Sequence, residues 1–139
     1  MKKKLAVFIM IVLMFTLLSG CGTSENSDVG KEYASRYYSS FVENDYVKCI
    51  SMFHESLIEN AGGSDAVLTM FNQMDQSWGN VKEYDIKQTG FYSSGGETDV
   101  ELSIDVTYDT GKSGTDTMTI WVLKDGTAYI TEISTGQPE

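Results

Sequence analysis

The chain has 139 residues, with 20 acidic residues against 10 basic ones and a formal net charge of −10. That balance excludes a nucleic-acid partner, whose affinity comes from neutralising phosphates with lysine and arginine, and it opposes contact with anionic lipid headgroups. Two cysteines, Cys21 and Cys49, allow one disulfide at most, and the length suits one domain.

Lys2, Lys3 and Lys4 precede an apolar run from Leu5 to Leu18. A helix of about fourteen residues rises about 21 Å, short of the roughly 30 Å hydrocarbon core, so residues 1–20 read as a signal peptide rather than a membrane span. The run closes in Leu18-Ser19-Gly20-Cys21, which resembles the lipobox of bacterial lipoproteins. The resemblance implies diacylglyceryl transfer to the Cys21 sulfur and cleavage before it; the alternative is an ordinary secretory signal with a chance cysteine. Residues 21–139 then hold all twenty acidic residues and seven of the basic ones, a formal charge of −13. Membrane contact would rest on the two acyl chains, which anchor stably where one chain is reversible. The expected location is extracytoplasmic, lipid-anchored at the cell membrane. With Cys21 lipidated, Cys49 has no partner within the chain, and its place on an apolar helical stripe suits a buried, inert thiol.

Residues 21–30 read as a flexible tether of Gly, Ser, Thr, Asn and acidic residues, reaching about 30 Å if extended. A single domain is expected over 31–135, with 136–139 as a tail. Val29, Tyr33, Ala34, Tyr37, Tyr38, Phe41 and Val42 recur at helical spacing. Glu43-Asn44-Asp45 interrupts them, and Asn44 or Asp45 suits the cap of a second helix carrying Tyr46, Cys49, Ile50, Phe53, Leu57 and Ile58 on one side. Gly62-Gly63 ends it. Ser64 is placed to cap a third helix, striped by Val67, Leu68, Phe71, Met74 and Trp78 and stopped by Gly79.

From Val81 the apolar period falls from 3.6 to 2. A first strand over about 81–92 has Tyr84 and Ile86 as its inward residues. Val100, Leu102, Ile104, Val106 and Tyr108 then alternate with Asp99, Glu101, Ser103, Asp105 and Thr107, the pattern of a half-buried antiparallel strand. Met118, Ile120 and Val122 form a third inward set. Asp125-Gly126 signals a two-residue hairpin, which pairs Val122 with Tyr129 and Met118 with Ile133.

Helices followed by a four-stranded meander make an α+β fold, with N-terminal helices packed on one face of a curved antiparallel sheet. The stretch from Tyr37 to Tyr46, with the Trp78-Gly79 exit and the hairpins after it, resembles the nuclear-transport-factor-2-like (cystatin-like) superfamily. The likeness is in particular to the small domains of that type found on bacterial lipoproteins. The resemblance implies a cone whose mouth, in the superfamily's ketosteroid isomerases and scytalone dehydratases, holds Asp, Tyr and His side chains.

Tyr84, Tyr92, Tyr108 and Tyr129 are the candidates to line such a pocket, where a tyrosine hydroxyl can polarise a carbonyl; core tyrosines with hydroxyls at the rim are the plainer account. No aspartate is expected on the inward face, since Asp99, Asp105 and Asp109 fall on the other, and general acid–base chemistry needs a carboxylate in reach. His54, the one histidine, reads as a solvated helix-surface residue. The acidic strand face lacks the folded oxygen-rich loop that calcium prefers and the His/Cys cluster that zinc needs, so neither metal nor cofactor is expected. The two-residue hairpin puts Trp121, Leu123, Ala128 and Ile130 together on the outer face as an apolar patch, suited to a protein partner or a second copy of the chain. Cover by another part of the chain is the alternative.

These features favour a membrane-tethered, non-enzymatic binding or protein-interaction domain. The other readings are a small pocket enzyme of the isomerase or dehydratase type and an accessory subunit of an envelope complex. Lipidation is testable directly: Cys21→Ser should abolish incorporation of labelled fatty acid and move the protein out of the membrane fraction, whereas unchanged membrane retention would exclude Cys21 as the anchor.

Overall fold

In the computed structural model, residues 21–139 are described, with side chains from Glu25 onward. Residues 1–20, expected to be a signal peptide, and the Cys21 sulfur lie outside the described residues. Helix α1 (Cys21–Val42) is followed by α2 (Tyr46–Ser51), α3 (Glu55–Asn60) and α4 (Ser64–Trp78). Strands β1 (Val81–Ser94), β2 (Glu97–Tyr108), β3 (Ser113–Val122) and β4 (Ala128–Ser134) form one antiparallel sheet in the order β1-β2-β3-β4. The architecture is α+β, helices first and an open four-stranded sheet after them.

Helix α1 starts well before the first residue expected to be helical, so the tether over residues 21–30 is replaced by helix. Ser27, Gly30, Ala34, Tyr37, Tyr38 and Phe41 are buried, a continuous 3-and-4 spacing whose first members are too small or polar to register as an apolar stripe. Small size is what the position demands. A Cβ on Gly30 would stand 2.9 Å from the Val100 side chain, so only glycine lets the helix lie this close to β2. The polar members find partners on the sheet: Asn26 donates to Thr98 Oγ1 at 3.0 Å, and Gln88 donates to Ser27 Oγ at 3.3 Å.

The second expected helix is two short ones. Between them Met52, Phe53 and His54 leave the helical path and run parallel to β4, with Ile130 N–H donating to the Met52 carbonyl and His54 N–H donating to the Ile130 carbonyl. The open edge of β4 is thus paired at Ile130 by the chain's own backbone, which shortens the template left for unwanted strand pairing. Asp45 caps α2 by accepting from Lys48 N–H, and His54 caps α3 through Nδ1, accepting from Ser56 N–H. In α4 the cap position falls on Gly63, with Ser64 as the first helical residue.

The space between helices and sheet is filled with rings. Tyr37 stacks on Phe53 at 5.8 Å, Phe41 meets Phe71 edge-on at 5.0 Å, and Tyr46 closes against both Phe41 and Phe71. Edge-to-face contacts of this sort add to the burial energy of each ring. From the sheet, Val100, Leu102, Ile104, Val106, Met118, Ile120 and Val122 face them, all buried as their alternation foretold. Cys49 is buried with its thiol directed at the Tyr37 carbonyl, and burial pushes that thiol up to about 12, so it stays protonated and unreactive.

Candidate binding face

Strands β3 and β4 meet through a longer turn than Asp125-Gly126 suggested. Leu123 N–H donates to the Thr127 carbonyl and Gly126 N–H to the Leu123 carbonyl, which leaves the loop Lys124–Gly126 with Gly126 at φ +82°. This is a type I turn closed by a left-handed glycine, in place of a two-residue primed turn. The extra residue shifts the register by one: Val122 pairs with Ala128, Trp121 with Tyr129 and Ile120 with Ile130. A one-residue shift turns every side chain over. Ala128 and Ile130, expected on the outer patch, therefore point inward and are 6% and 0% exposed. Tyr129 takes the outer place instead. A bulge at Thr131 then restores the expected pairing of Met118 with Ile133.

Strand β1 carries a matching irregularity. Tyr84, Ile86 and Gln88 pair with the inward residues Val106, Ile104 and Leu102, but a bulge between Gln88 and Gly90 sends Tyr92 to the outer face, opposite Asp99. Gly90 follows the bulge and pairs with Glu101 on the outer side. The four tyrosines expected to line a pocket accordingly part company. Tyr84 is half-buried inside, its hydroxyl 3.3 Å from Ser35 Oγ, and Tyr108 is buried against Trp78. Tyr92 and Tyr129 belong to the opposite side.

There the β1 bulge and the Lys124–Gly126 turn bring together a row that crosses the whole sheet: Tyr92, Asp99, Trp121 and Tyr129, one residue per strand. His54 extends it past the β4 edge, its ring edge-on to Trp121 at 5.8 Å and to Tyr129 at 5.6 Å. His54 is thus a half-buried member of an aromatic cluster and a helix cap, in place of the freely solvated residue expected. Glu97 accepts a hydrogen bond from the Trp121 indole N–H at 3.3 Å and so fixes the ring's orientation. Tyr92 is 69% exposed, whereas Trp121, Leu123 and Tyr129 are half-buried. Of the apolar patch read from the sequence, Trp121 and Leu123 remain on this face. Farther along it, Lys87 pairs with Asp85 and Asp105, and the Lys87 hydrogen bond holds the Asp105 carboxyl below its usual range; an exposed pair of this kind adds little stability.

On the inner face one carboxylate escaped the sequence reading. Asp116 shares the inward parity of Met118 and is 3% exposed. Tyr38 donates to its Oδ2 at 2.7 Å, and Gly136 N–H donates to Oδ1 at 3.2 Å. Burial raises the Asp116 pKa, partly offset by those two hydrogen bonds. A tyrosine and an aspartate in contact are chemically suited to acid–base work, but both are sealed in the core. The Gly136 contact also fastens the C-terminal segment, which continues along β3 until Ser113 and Glu139 exchange backbone hydrogen bonds.

Concave regions also mark the surface away from this row. An open hollow of about 590 Å³ lies where the start of α1 meets the two hairpins, lined by polar residues such as Asn26, Ser93, Thr98 and Lys124. An apolar cavity of about 290 Å³ lies between α3, α4 and the end of β4, walled by Leu57, Val67, Phe71, Met74 and Ile133. Among the described residues no three His, Cys, Asp or Glu side chains converge as a metal-binding group. No protein-family model, curated protein or solved structure matches this chain.

The buried carboxyl makes a pH-dependent prediction. Its folded-state pKa is raised, so the folded chain holds the Asp116 proton more tightly than the unfolded chain does. That contribution is complete below the ordinary aspartate value of about 3.9 and is lost as pH rises through the raised value. Asp116→Asn, which does not titrate, should therefore gain stability relative to the parent between pH 4 and the raised value, with a constant gap above it. Urea unfolding of both proteins across pH 4–8 checks this; a parent that gains stability relative to Asp116→Asn as pH rises would mean the carboxylate is stabilised in the fold.

Proposed function

We propose that the chain is a lipid-tethered extracytoplasmic binding domain, held by diacylglyceryl on Cys21, that docks another protein through the outer face of its sheet. The carrying observation is the aromatic row. Trp121 stands between Tyr92 and Tyr129 on the side of the sheet opposite α1, α2 and α4, with no described element laid over it. Half-exposed Trp and Tyr in one cluster are the residue types that concentrate binding energy at protein interfaces. In this reading the α+β fold is a nuclear-transport-factor-2-like (cystatin-like) cone whose interior is occupied by Tyr37, Phe41, Phe53 and Phe71, so recognition moves to the outside. The isomerase or dehydratase alternative would have to use Tyr38 and Asp116, which are buried. Service as an accessory subunit of an envelope complex, or pairing with a second copy, fits the same face and differs only in the partner.

Site-specific photocrosslinking in cells tests this with the full-length protein. A photoreactive residue at Thr119 or Glu132, neighbours of Trp121 on the outer face, should give a discrete adduct. One at Val47, 74% exposed on the helical side, should not. Trp121→Ala should remove the adduct while the protein remains folded and membrane-bound. Adducts that form equally from Val47, or that survive Trp121→Ala, would overturn the assignment of this face.

A further inference from the structure

Within that row, Tyr92 and Trp121 are separated by one strand, so their backbones stand about 10 Å apart. Both side chains line the same notch of about 90 Å³, whose remaining walls come from Ser94, Glu97, Thr98 and Asp99. Two aromatic walls and two carboxylates around a small opening form an environment selective for a cation. A ring face attracts positive charge through its quadrupole, and the carboxylates add direct Coulomb attraction. The Glu97 contact to the indole N–H holds the Trp121 wall in place.

The chain does not fill this notch with a cation of its own. Among the described residues the ion pairs are those of Lys87 with Asp85 and Asp105. Lys124 lies nearby with its stem against Gly96, but it forms no ion pair with Glu97 or Asp99. Size favours an ammonium on a narrow aliphatic stem over a planar guanidinium. The apolar row also continues past Trp121 to Tyr129 and His54, surface that a free amine would leave untouched and a protein partner would cover. The charge of −13 over residues 21–139 favours encounter with basic surfaces and repels acidic ones.

We infer that the notch between Tyr92 and Trp121 receives a lysine side chain of a basic partner protein, its ammonium held by Asp99 and Glu97 and its methylenes lying between the two rings. This inference rests on the outer-face docking reading and adds the chemistry of the contact. The test uses the full-length protein in lipid nanodiscs, with the Trp121 indole N–H followed by NMR. The probe is a short end-capped peptide with one lysine among neutral residues. The expected result is a saturable shift of the indole signal, with affinity at least tenfold weaker for the acetyl-lysine peptide and for Asp99→Asn, Glu97→Gln or Tyr92→Ala. Glu83→Gln, which removes the same charge elsewhere on the sheet, should leave affinity unchanged.

Equal binding of the acetylated peptide would overturn the lysine assignment, as would an equal loss with Glu83→Gln, which would indicate diffuse charge attraction. Butylamine binding as tightly as the peptide would assign the notch to free amines and also overturn the inference. None of these outcomes touches the crosslinking result, so loss of the lysine contact leaves docking through the face standing. Loss of the adducts at Thr119 and Glu132 would remove both.

Discussion

A strand repeats every two residues, so each residue inserted into it turns the remainder over. This sheet uses that constraint twice on the side that matters. The bulge between Gln88 and Gly90 rotates Tyr92 outward, and the turn at Lys124–Gly126 rotates Tyr129 outward while drawing Ala128 and Ile130 into the core. Without the first, Tyr92 would follow Tyr84 and Ile86 under the helices; without the second, Ile130 would be stranded in water. The bulge at Thr131 then returns Ile133 to the inner side. Core and outer face are therefore two consequences of the same irregularities. A substitution that removed one would cost buried area and dissolve the aromatic row together.

The second organising feature is the closeness of α1 to the sheet over Gly30 and Val100. A helix of 22 residues is about 33 Å long, and its early turns are joined to β1 and β2 through Asn26, Ser27, Gln88 and Thr98. If Cys21 carries the lipid, the domain follows the anchor with helix instead of free tether. The start of α1 shares a hollow with the β1–β2 and β3–β4 hairpins, so those hairpins would sit at the membrane end of the domain. The Tyr92–Tyr129 row lies at the base of the same hairpins. A partner reaching it would be met close to the bilayer, which suits a membrane-associated protein better than a freely diffusing one.

Much of this fold was legible in the residues. Strand β2 was read correctly in both faces because its alternation runs unbroken from Val100 to Tyr108, and the large apolar residues of α1 and α4 marked their stripes. What escaped was written in weaker signals. Ser27 and Gly30 continue the buried face of α1, but a face made of small residues resembles a linker. Met52–His54 leaves the helix although no proline or glycine breaks it there; the cause is the open edge of β4, a tertiary demand invisible locally. Asp116 sits at the inward parity of Met118, and that parity alone could have found it. Asp125-Gly126 is compatible with two-residue and three-residue hairpins, and that single ambiguity exchanged Ile130 for Tyr129 on the candidate face. Trp121 was placed correctly because β3 carries no such irregularity before it.

The bulged register can be measured without any partner. In the NOE spectrum of the full-length protein, the sheet predicts contacts from the Trp121 indole to the rings of both Tyr129 and His54, together with backbone contacts between Val122 and Ala128. Backbone contacts pairing Val122 with Tyr129, with Ile130 beside Trp121 on the solvent side, would contradict the register and with it the aromatic face.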